Sequence, residues 1–217
     1  YWLVPLRFRN LWLFLINLVF YGWGEPIYVS LMIFSTVLYY SCGQLVEKYR
    51  GTSKQKIGLI ISICGNLGLL FFFKYTDLFI STINGLFGAS IPTLDLPLPI
   101  GISFYTFQTL SYVIDVYRGS IPAERHFGYY ALFVSFFPQL VAGPIERPQN
   151  LLPQLKAEHK FNADDLKAGL RIVLAGYFKK VVIADRACIY ADAIFNNWAM
   201  ASGKQIAWAT IVFSIQD

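Results

Sequence analysis

Residues 97–119 read PLPIGISFYTFQTLSYVIDVYRG, an apolar run that also carries serines, threonines, a glutamine and an aspartate. If 100–117 form an α-helix, a turn of about 100° per residue places most polar groups along one side. That side holds Gly101, Tyr105, Gln108, Ser111, Tyr112 and Asp115, and the other holds Ile102, Leu110, Val113 and Ile114. The polar stripe predicts a helix that faces other helices or a wet cavity rather than lipid. For each stripe residue, interhelical hydrogen bonding is favoured over substrate contact.

The composition favours a membrane location for this run. Of the 217 residues, 56% are hydrophobic and only 14% are charged, whereas an ordinary soluble domain carries about 25% charged residues. The mean hydropathy is +0.49, and the apolar residues fall in long blocks. We therefore predict an all-α, polytopic membrane protein with the lipid bilayer as a partner, crossing the plasma membrane several times.

The net charge of +5 comes from Lys and Arg in short clusters between the apolar blocks. This pattern is typical of cytoplasmic loops of membrane proteins. No basic, aromatic groove is visible, so no nucleic acid partner is expected. The three cysteines lack the spacing of a disulfide framework or a zinc site, and no metal site is predicted.

The first half of the chain reads as three crossings. The blocks 11–23 and 27–46, separated by GEP at 24–26, predict a helical hairpin. Residues 57–73 predict a further crossing. After Lys74 the sequence predicts a weakly amphipathic segment and then a proline-rich turn at the outer interface.

The basic residues set the expected orientation of these crossings. Arg7 precedes the hairpin, Lys54 lies in the charged loop after it, and Arg118 follows the polar-striped helix. Because positively charged loops stay on the cytoplasmic side, all three residues are predicted to be cytoplasmic.

Residues 127–148, FGYYALFVSFFPQLVAGPIERP, contain Pro138 and the pair Gly143-Pro144 within an apolar block. Each proline lacks an amide donor, so backbone carbonyls are freed, and at membrane depth protein or water must satisfy them. Gln139 supplies a polar group at the same place. Basic residues on both sides of the block conflict with a simple crossing. Two interpretations stay open: a re-entrant or broken helix whose freed carbonyls face a central cavity, and an ordinary proline-kinked span.

Residues 162–186, NADDLKAGLRIVLAGYFKKVVIADR, carry Asp164 and Asp165 near their start, where a helix N-terminus favours a cap and negative charge. Seven uncharged residues separate Arg171 from Lys179, too few for a plain span. Lys179 and Lys180 have no carboxylate three or four residues away. We expect them to snorkel toward the membrane surface rather than to find a tertiary partner or a polar cavity.

Catalytic signals are nearly absent. No nucleophile-elbow, phosphate-loop, dinucleotide-binding or zinc-protease motif occurs. The two histidines, His126 and His159, lie in charged loops, and nothing nearby orients either ring as a base. Both are predicted to be solvated loop residues.

Three motifs in this order carry a specific resemblance: LPIGISFYTFQTLSYVIDVYRG, FFPQLVAGPIERP and GYFKKVVIADR. Together they closely resemble the alginate O-acetyltransferase branch of the membrane-bound O-acyltransferase superfamily, to which the teichoic acid D-alanyl transfer proteins are related. The resemblance implies a single membrane domain over 1–217, with transmembrane, interfacial and re-entrant helices around a central cavity. It also implies that this is the N-terminal half of such a fold. The invariant family histidine would lie further along, so the 217 residues alone are expected to be inactive.

The resemblance further implies transfer of an acyl group, most simply acetyl, from an inner donor to an exported cell-surface polysaccharide of a bacterium. The donor would be acetyl-CoA or a carrier-protein thioester acting as substrate, with no bound cofactor, and an extracytoplasmic acyltransferase would be a partner. A transporter or channel segment and a non-catalytic scaffold stay open as alternatives. The substrate-channel candidates are Gln108, Ser111, Gln139, Gly143, Pro144, Lys179 and Lys180.

Overall fold

A computed structural model describes residues 3–140 and 143–216, and every regular element in these ranges is a helix. The chain divides into two compact units, residues 1–159 and 160–217. The first contains a 3-10 turn, Leu6–Phe8, and the helices α1 (Arg9–Gly24), α2 (Tyr28–Lys48), α3 (Ser53–Phe87), α4 (Ile102–Arg118), α5 (Phe127–Ser135), α6 (Phe137–Leu140) and α7 (Pro148–Lys156). The second contains α8 (Ala163–Phe178), a π-helical segment (Lys179–Ala184), α9 (Asp185–Phe195) and α10 (Gly203–Gln216). The single domain over 1–217 stays a prediction.

The predicted hairpin is confirmed as α1 and α2, which are separated by a break at Glu25. Among the described helices, α2 and α3 are long and apolar enough to cross a membrane. Helix α3 is 35 residues long and continues past residue 73 to Phe87, so the third predicted crossing and the segment after it form one helix. Where the crossing ends stays a prediction. Lys74 and Asp77 interrupt the apolar pattern of the sequence, but the helix continues through both residues. The helix ends only where Gly88 adopts a left-handed conformation, with φ of 63°.

The core of the first unit lies where α2, α3 and α4 pack together. Tyr112 of α4 is fully buried there and lies against Gly43 of α2, where a Cβ atom would be 2.6 Å from the ring carbon Cε1. The Tyr112 hydroxyl accepts a hydrogen bond from the backbone N–H of Glu124 at 2.8 Å. Tyrosine and glycine therefore fit together to hold the loop after α4 against the helices.

Hydrogen bonds connect the predicted cytoplasmic ends of three helices. After α2, Arg50 donates to the carbonyl of Val116 on α4 at 3.1 Å, and Gln55 at the start of α3 donates to the carbonyl of Tyr117 at 3.1 Å. The basic loop between α2 and α3 thus lies at the same end of the unit as the end of α4.

Tyrosines secure the opposite end. Tyr21 near the end of α1 donates to the carbonyl of Ile100 at 3.0 Å, and Tyr28 at the start of α2 donates to that of Pro97 at 3.1 Å. The α1–α2 turn therefore contacts the proline-rich segment that leads into α4.

In the second unit, α8 begins where predicted, with Asp164 and Asp165 in its first turn. The cap itself is Asn162, whose side-chain oxygen accepts from the backbone N–H of Asp164 at 3.0 Å. The helix then widens into the π-helical segment before α9 begins. A π-helix turns less per residue than an α-helix, since its hydrogen bonds join residues five apart.

Candidate functional site

The block 127–148 is a broken helix. Helix α5 ends at Ser135, Phe136 adopts an extended conformation with ψ of 102°, and α6 begins at Phe137. The backbone N–H of Phe137 points to Asn17 Oδ1 on α1 at 3.4 Å. Had α5 continued, that N–H would have served the carbonyl of Phe133, four residues earlier. The predicted break in the helix is therefore confirmed, and a re-entrant path with carbonyls that face a central cavity stays a prediction. Val141 and Ala142 of the same block lie outside the described residues.

The Phe133 carbonyl freed by the break receives two side-chain amides. Gln108 Nε2 on α4 donates to it at 2.8 Å, and Gln139 Nε2 on α6 donates to it at 3.0 Å. Both glutamines are buried, with exposed fractions of 2% and 6%. The side-chain oxygen of Gln139 also has a partner: Oε1 accepts from the backbone N–H of Glu146 at 3.2 Å. The interhelical role predicted for Gln108 is confirmed.

Glycines let the backbone close tightly around this junction. A Cβ atom at Gly143 would collide with the carbonyl oxygen of Pro138 and lie 2.7 Å from Cα of Gln139. Gly101, which precedes α4, has φ of 74°, and a Cβ atom there would lie 2.5 Å from the carbonyl oxygen of Leu140. Only a residue without a side chain fits at either position. Gly143 therefore belongs to the same junction as Gln139.

Two other predicted residues take a lesser part in the junction. Ser111 is half-buried, and its hydroxyl donates to the carbonyl of Gln108 within α4 at 2.9 Å. Pro144 is exposed. The structure thus brings Gln108, Gln139 and Gly143 together, and their lining of a substrate channel stays a prediction.

Lys179 and Lys180 lie in the second unit. Lys180 Nζ bonds Asp185 Oδ1 at 2.6 Å, a carboxylate five residues away rather than the three or four considered from the sequence. The π-helical segment explains the pair: with fewer degrees of turn per residue, positions five apart come near each other on the surface. The hydrogen bond and charge of Asp185 hold the pKa of Lys180 above its ordinary value. Lys179 has no hydrogen bond or ion pair with any residue that the structure describes. That both lysines snorkel toward the membrane surface stays a prediction.

The junction can donate hydrogen bonds but cannot move protons. Its polar groups are amides and backbone atoms, which do not titrate near neutral pH. Neither histidine belongs to it: the His126 ring lies 5.0 Å from the Tyr129 ring, and His159 Nε2 lies 2.7 Å from the carbonyl oxygen of Gln154. No cluster of three metal-ligating side chains occurs in the described ranges, 3–140 and 143–216.

Sequence reasoning missed Asn17 as a member of the junction. It is fully buried in α1, and its oxygen takes the N–H that the break releases. The signal was present in the sequence, because Asn17 is an isolated amide within the apolar run LWLFLINLVF, where a polar side chain needs a partner.

Comparison with known proteins identifies relatives of the whole chain. It is 34% identical over 96% of its length to a peptidoglycan O-acetyltransferase of Helicobacter pylori. It is 36% identical over 90% of its length to the probable alginate O-acetylase AlgI of Azotobacter vinelandii, and 35% identical over 90% to that of Pseudomonas aeruginosa. The resemblance is confirmed: this is a relative of the alginate O-acetyltransferases. No family model matches the chain, and no solved structure matches it significantly.

The chain spans less than half the length of these relatives: 45% of the Helicobacter protein, 40% of the Azotobacter protein and 38% of the Pseudomonas protein. The matched region includes the broken helix and its glutamine partners, because at least 90% of the chain is aligned.

Proposed function

We propose that this protein moves an acyl group, acetyl in the simplest case, onto hydroxyl groups of an exported cell-envelope polysaccharide. The observation that supports this most directly is 34–36% identity, over at least 90% of the chain, to proteins named as O-acetyltransferases of alginate and peptidoglycan. Two helices able to cross a membrane and the broken helix beside them fit an enzyme that works within the bilayer. The protein is then a multi-pass protein of the bacterial plasma membrane.

In the proposed reaction the donor is a thioester, either acetyl-CoA or an acylated carrier protein, reached from the cytoplasmic side. The carbon–sulfur bond of the thioester breaks, an ester bond to the acceptor oxygen forms, and the proton of the acceptor hydroxyl passes to a base. The donor leaves as its thiolate, which takes up a proton and is released as the free thiol. An extracytoplasmic acyltransferase partner would carry the group to the polysaccharide. The base is the family histidine, for which neither His126 nor His159 is the counterpart.

The junction of Gln108, Gln139 and Gly143 would shape the wall beside the acyl path rather than react with it. Two amides fix the carbonyl of Phe133, which keeps the polypeptide ordered where the helix is interrupted. Pro144, Ser111 and the two lysines of the second unit are proposed as further lining residues. Among these candidates, as far as the structure describes the chain, Gln108 and Gln139 share one acceptor.

Gene deletion followed by measurement of ester-linked acetate tests the proposal. Polysaccharide from deleted and complemented cells would be treated with alkali, and released acetate would be counted per sugar residue. We expect acetate to fall to background in the deletion strain and to return on complementation with the full-length gene. Complementation by the His126→Ala and His159→Ala variants should restore the same acetate level.

The same measurement separates the alternative functions. Loss of secreted polysaccharide with unchanged acetate per sugar residue would support the transporter instead. A scaffold predicts loss of acetate in cells, but no release of labelled acetyl from a thioester donor by purified full-length protein in vesicles. Failure of either histidine variant would contradict the assignment of both rings to solvated loops.

A further inference from the structure

Two cavities lie end to end along α1 in the first unit. The first, here called the head cavity, measures about 320 Å³ and is bordered by Arg7, Asn10, His126 and Tyr129. The second, here called the tail cavity, measures about 230 Å³ and lies between α1, α2 and α5. Phe14 borders both cavities, so they adjoin at this side chain of α1.

The head cavity is suited to an anion. Arg7 is exposed and makes no hydrogen bond or ion pair within the part of the chain that the structure describes. An adjoining cavity of about 340 Å³ also contains Arg7 and Tyr129 and is lined by the carboxylate of Glu158. It adds Arg9, which donates to the carbonyls of Val4 and His159, and Lys156, which pairs with Glu124. Guanidinium groups bind phosphate oxygens through paired, charge-assisted hydrogen bonds.

The tail cavity is suited to a hydrocarbon chain. Its lining exposes no polar surface and includes Leu18 of α1, Met32 and Ile33 of α2, and Ala131 of α5. The hydroxyl of Thr36, which also borders it, donates to the backbone within α2 at 2.7 Å and is already used. An apolar cavity of this kind gains nothing from water and favours an apolar occupant.

The spacing of the two cavities matches one leaflet of a bilayer. Eleven residues separate Arg7 from Leu18, about 16 Å along a helix, and half of the hydrocarbon core is about 15 Å thick. The charged end lies on the side predicted to be cytoplasmic, where anionic lipids concentrate. One amphipathic molecule, with its charge at Arg7 and its chain beyond Phe14, fits both cavities.

We propose that the two cavities together bind one anionic glycerophospholipid of the cytoplasmic leaflet. Its phosphate ester lies beside Arg7 and Asn10, and one acyl chain lies in the groove formed by α1, α2 and α5. The bound lipid fills the space between α1 and α2. This inference does not depend on the acyltransfer reaction, because it concerns neither the donor nor the acceptor.

Lipid titration of delipidated full-length protein in mild detergent, followed by native mass spectrometry, tests the site. Dioleoylphosphatidylglycerol is the probe. Arg7→Gln should weaken its binding about tenfold, the size of one charge-assisted hydrogen bond, whereas Arg7→Lys should retain most of the affinity. Ile33→Trp, which fills the tail cavity, should weaken binding at least about tenfold on the same scale.

Matched variants control for charge and bulk. Arg118→Gln removes an exposed cation outside the three cavities, and Val37→Trp adds the same bulk one turn further along α2. Both should change binding by less than about twofold. Thermal unfolding of each variant confirms that it is folded. If Arg7→Gln is unfolded, the binding of the lipid to Arg7→Lys and Ile33→Trp, compared with their controls, decides whether the site exists.

Ligands that carry only part of the lipid identify what the site recognises. Inorganic phosphate and glycerol 3-phosphate should displace the lipid poorly, since they lack the chain. Displacement by either at concentrations that match the lipid would show a site for a soluble phosphate and overturn the proposal. Equal binding of dioleoylphosphatidylcholine, together with no effect of Arg7→Gln, would overturn it as well, because bulk lipid solvation would then explain the cavities.

Discussion

Gln108 on α4 and Gln139 on α6 donate hydrogen bonds to one acceptor, the backbone carbonyl of Phe133, at 2.8 and 3.0 Å. This carbonyl has lost its helical partner because α5 stops at Ser135. A carbonyl oxygen has two lone pairs, so both amides are accommodated. The pair of glutamines therefore substitutes for the helix where the chain is interrupted, and it fixes α6 to α4.

Substitution of Gln139 by leucine should reduce stability. The change removes one donor to Phe133 and leaves the half-buried N–H of Glu146 without its acceptor, at a cost of about 1–3 kcal/mol. Thermal unfolding in detergent measures this. Gln154→Leu, an exposed glutamine on α7, is the control and should change stability by less than about 0.5 kcal/mol.

The same variant tests the channel role of Gln139. If the side chain lines an acyl path, Gln139→Leu should lower acyl transfer per folded molecule, in addition to reducing the folded amount. Unchanged transfer per folded molecule would leave Gln139 with the interhelical role alone.

Replacement of Gly43 by alanine should destabilise the packing of α2 on α4. The new methyl group would lie 2.6 Å from the Tyr112 ring, and the fully buried ring has little room to move. A cost of about 1–3 kcal/mol is expected from overpacking. The control is Gly68→Ala in α3, where no atom lies within 4 Å of the new Cβ; helix propensity should make that change neutral or stabilising. Equal effects of the two variants would contradict the close contact.

Breaking the ion pair between Glu124 and Lys156 should destabilise the loop after α4. Glu124 is 6% exposed, and its carboxylate lies 2.5 Å from Lys156 Nζ. Lys156→Met leaves this buried charge without its cation, which we expect to cost about 1–3 kcal/mol, below the range for fully buried pairs because the lysine is half exposed. Lys56→Met, an exposed lysine of α3, serves as the control. A double variant, Glu124→Gln with Lys156→Met, should recover part of the loss.

Patterns of polarity predicted most of the helices but not where they end. The hairpin was predictable because GEP at 24–26 separates two apolar blocks. The length of α3 was not predictable, since a lysine and an aspartate interrupt the apolar pattern of the sequence without ending the helix. Helix ends depend on backbone geometry, which here changes only at Gly88.

The candidate site was predictable in its parts and not in its connections. Pro138 signalled a break, and Gln108 and Gln139 signalled polar groups that needed partners. That they share the Phe133 carbonyl depends on how α4 and α5 pack, which no local pattern specifies. The partner of Lys180 was not predictable for a different reason: α-helical spacing pairs residues three or four apart, whereas Lys180 and Asp185 lie at the two ends of a π-helical turn.

The arrangement of the first unit makes the predicted topology testable at single residues. Arg50 and Gln55 bind the end of α4, and Asn10 near the start of α1 donates to the carbonyl of Leu155 at the end of α7 at 2.9 Å. Basic ends from all these helices therefore lie at one end of the unit. The positive-inside rule assigns that end to the cytoplasm.

We expect cysteines at Arg7, Lys54 and Arg118 to resist an impermeant thiol reagent in intact cells and to react once the membrane is permeabilised. The background would lack Cys42, Cys64 and Cys188. Ser90→Cys, in the exposed segment after α3, is the matched control and should react in intact cells. Helix α3 is about 52 Å long at 1.5 Å per residue, more than the 30 Å hydrocarbon core, so its far end reaches well beyond the opposite surface. Labelling of any of the three basic positions from outside, or protection of Ser90→Cys, would reverse or reject the assignment. It would also move the head cavity of the proposed lipid site to the other leaflet.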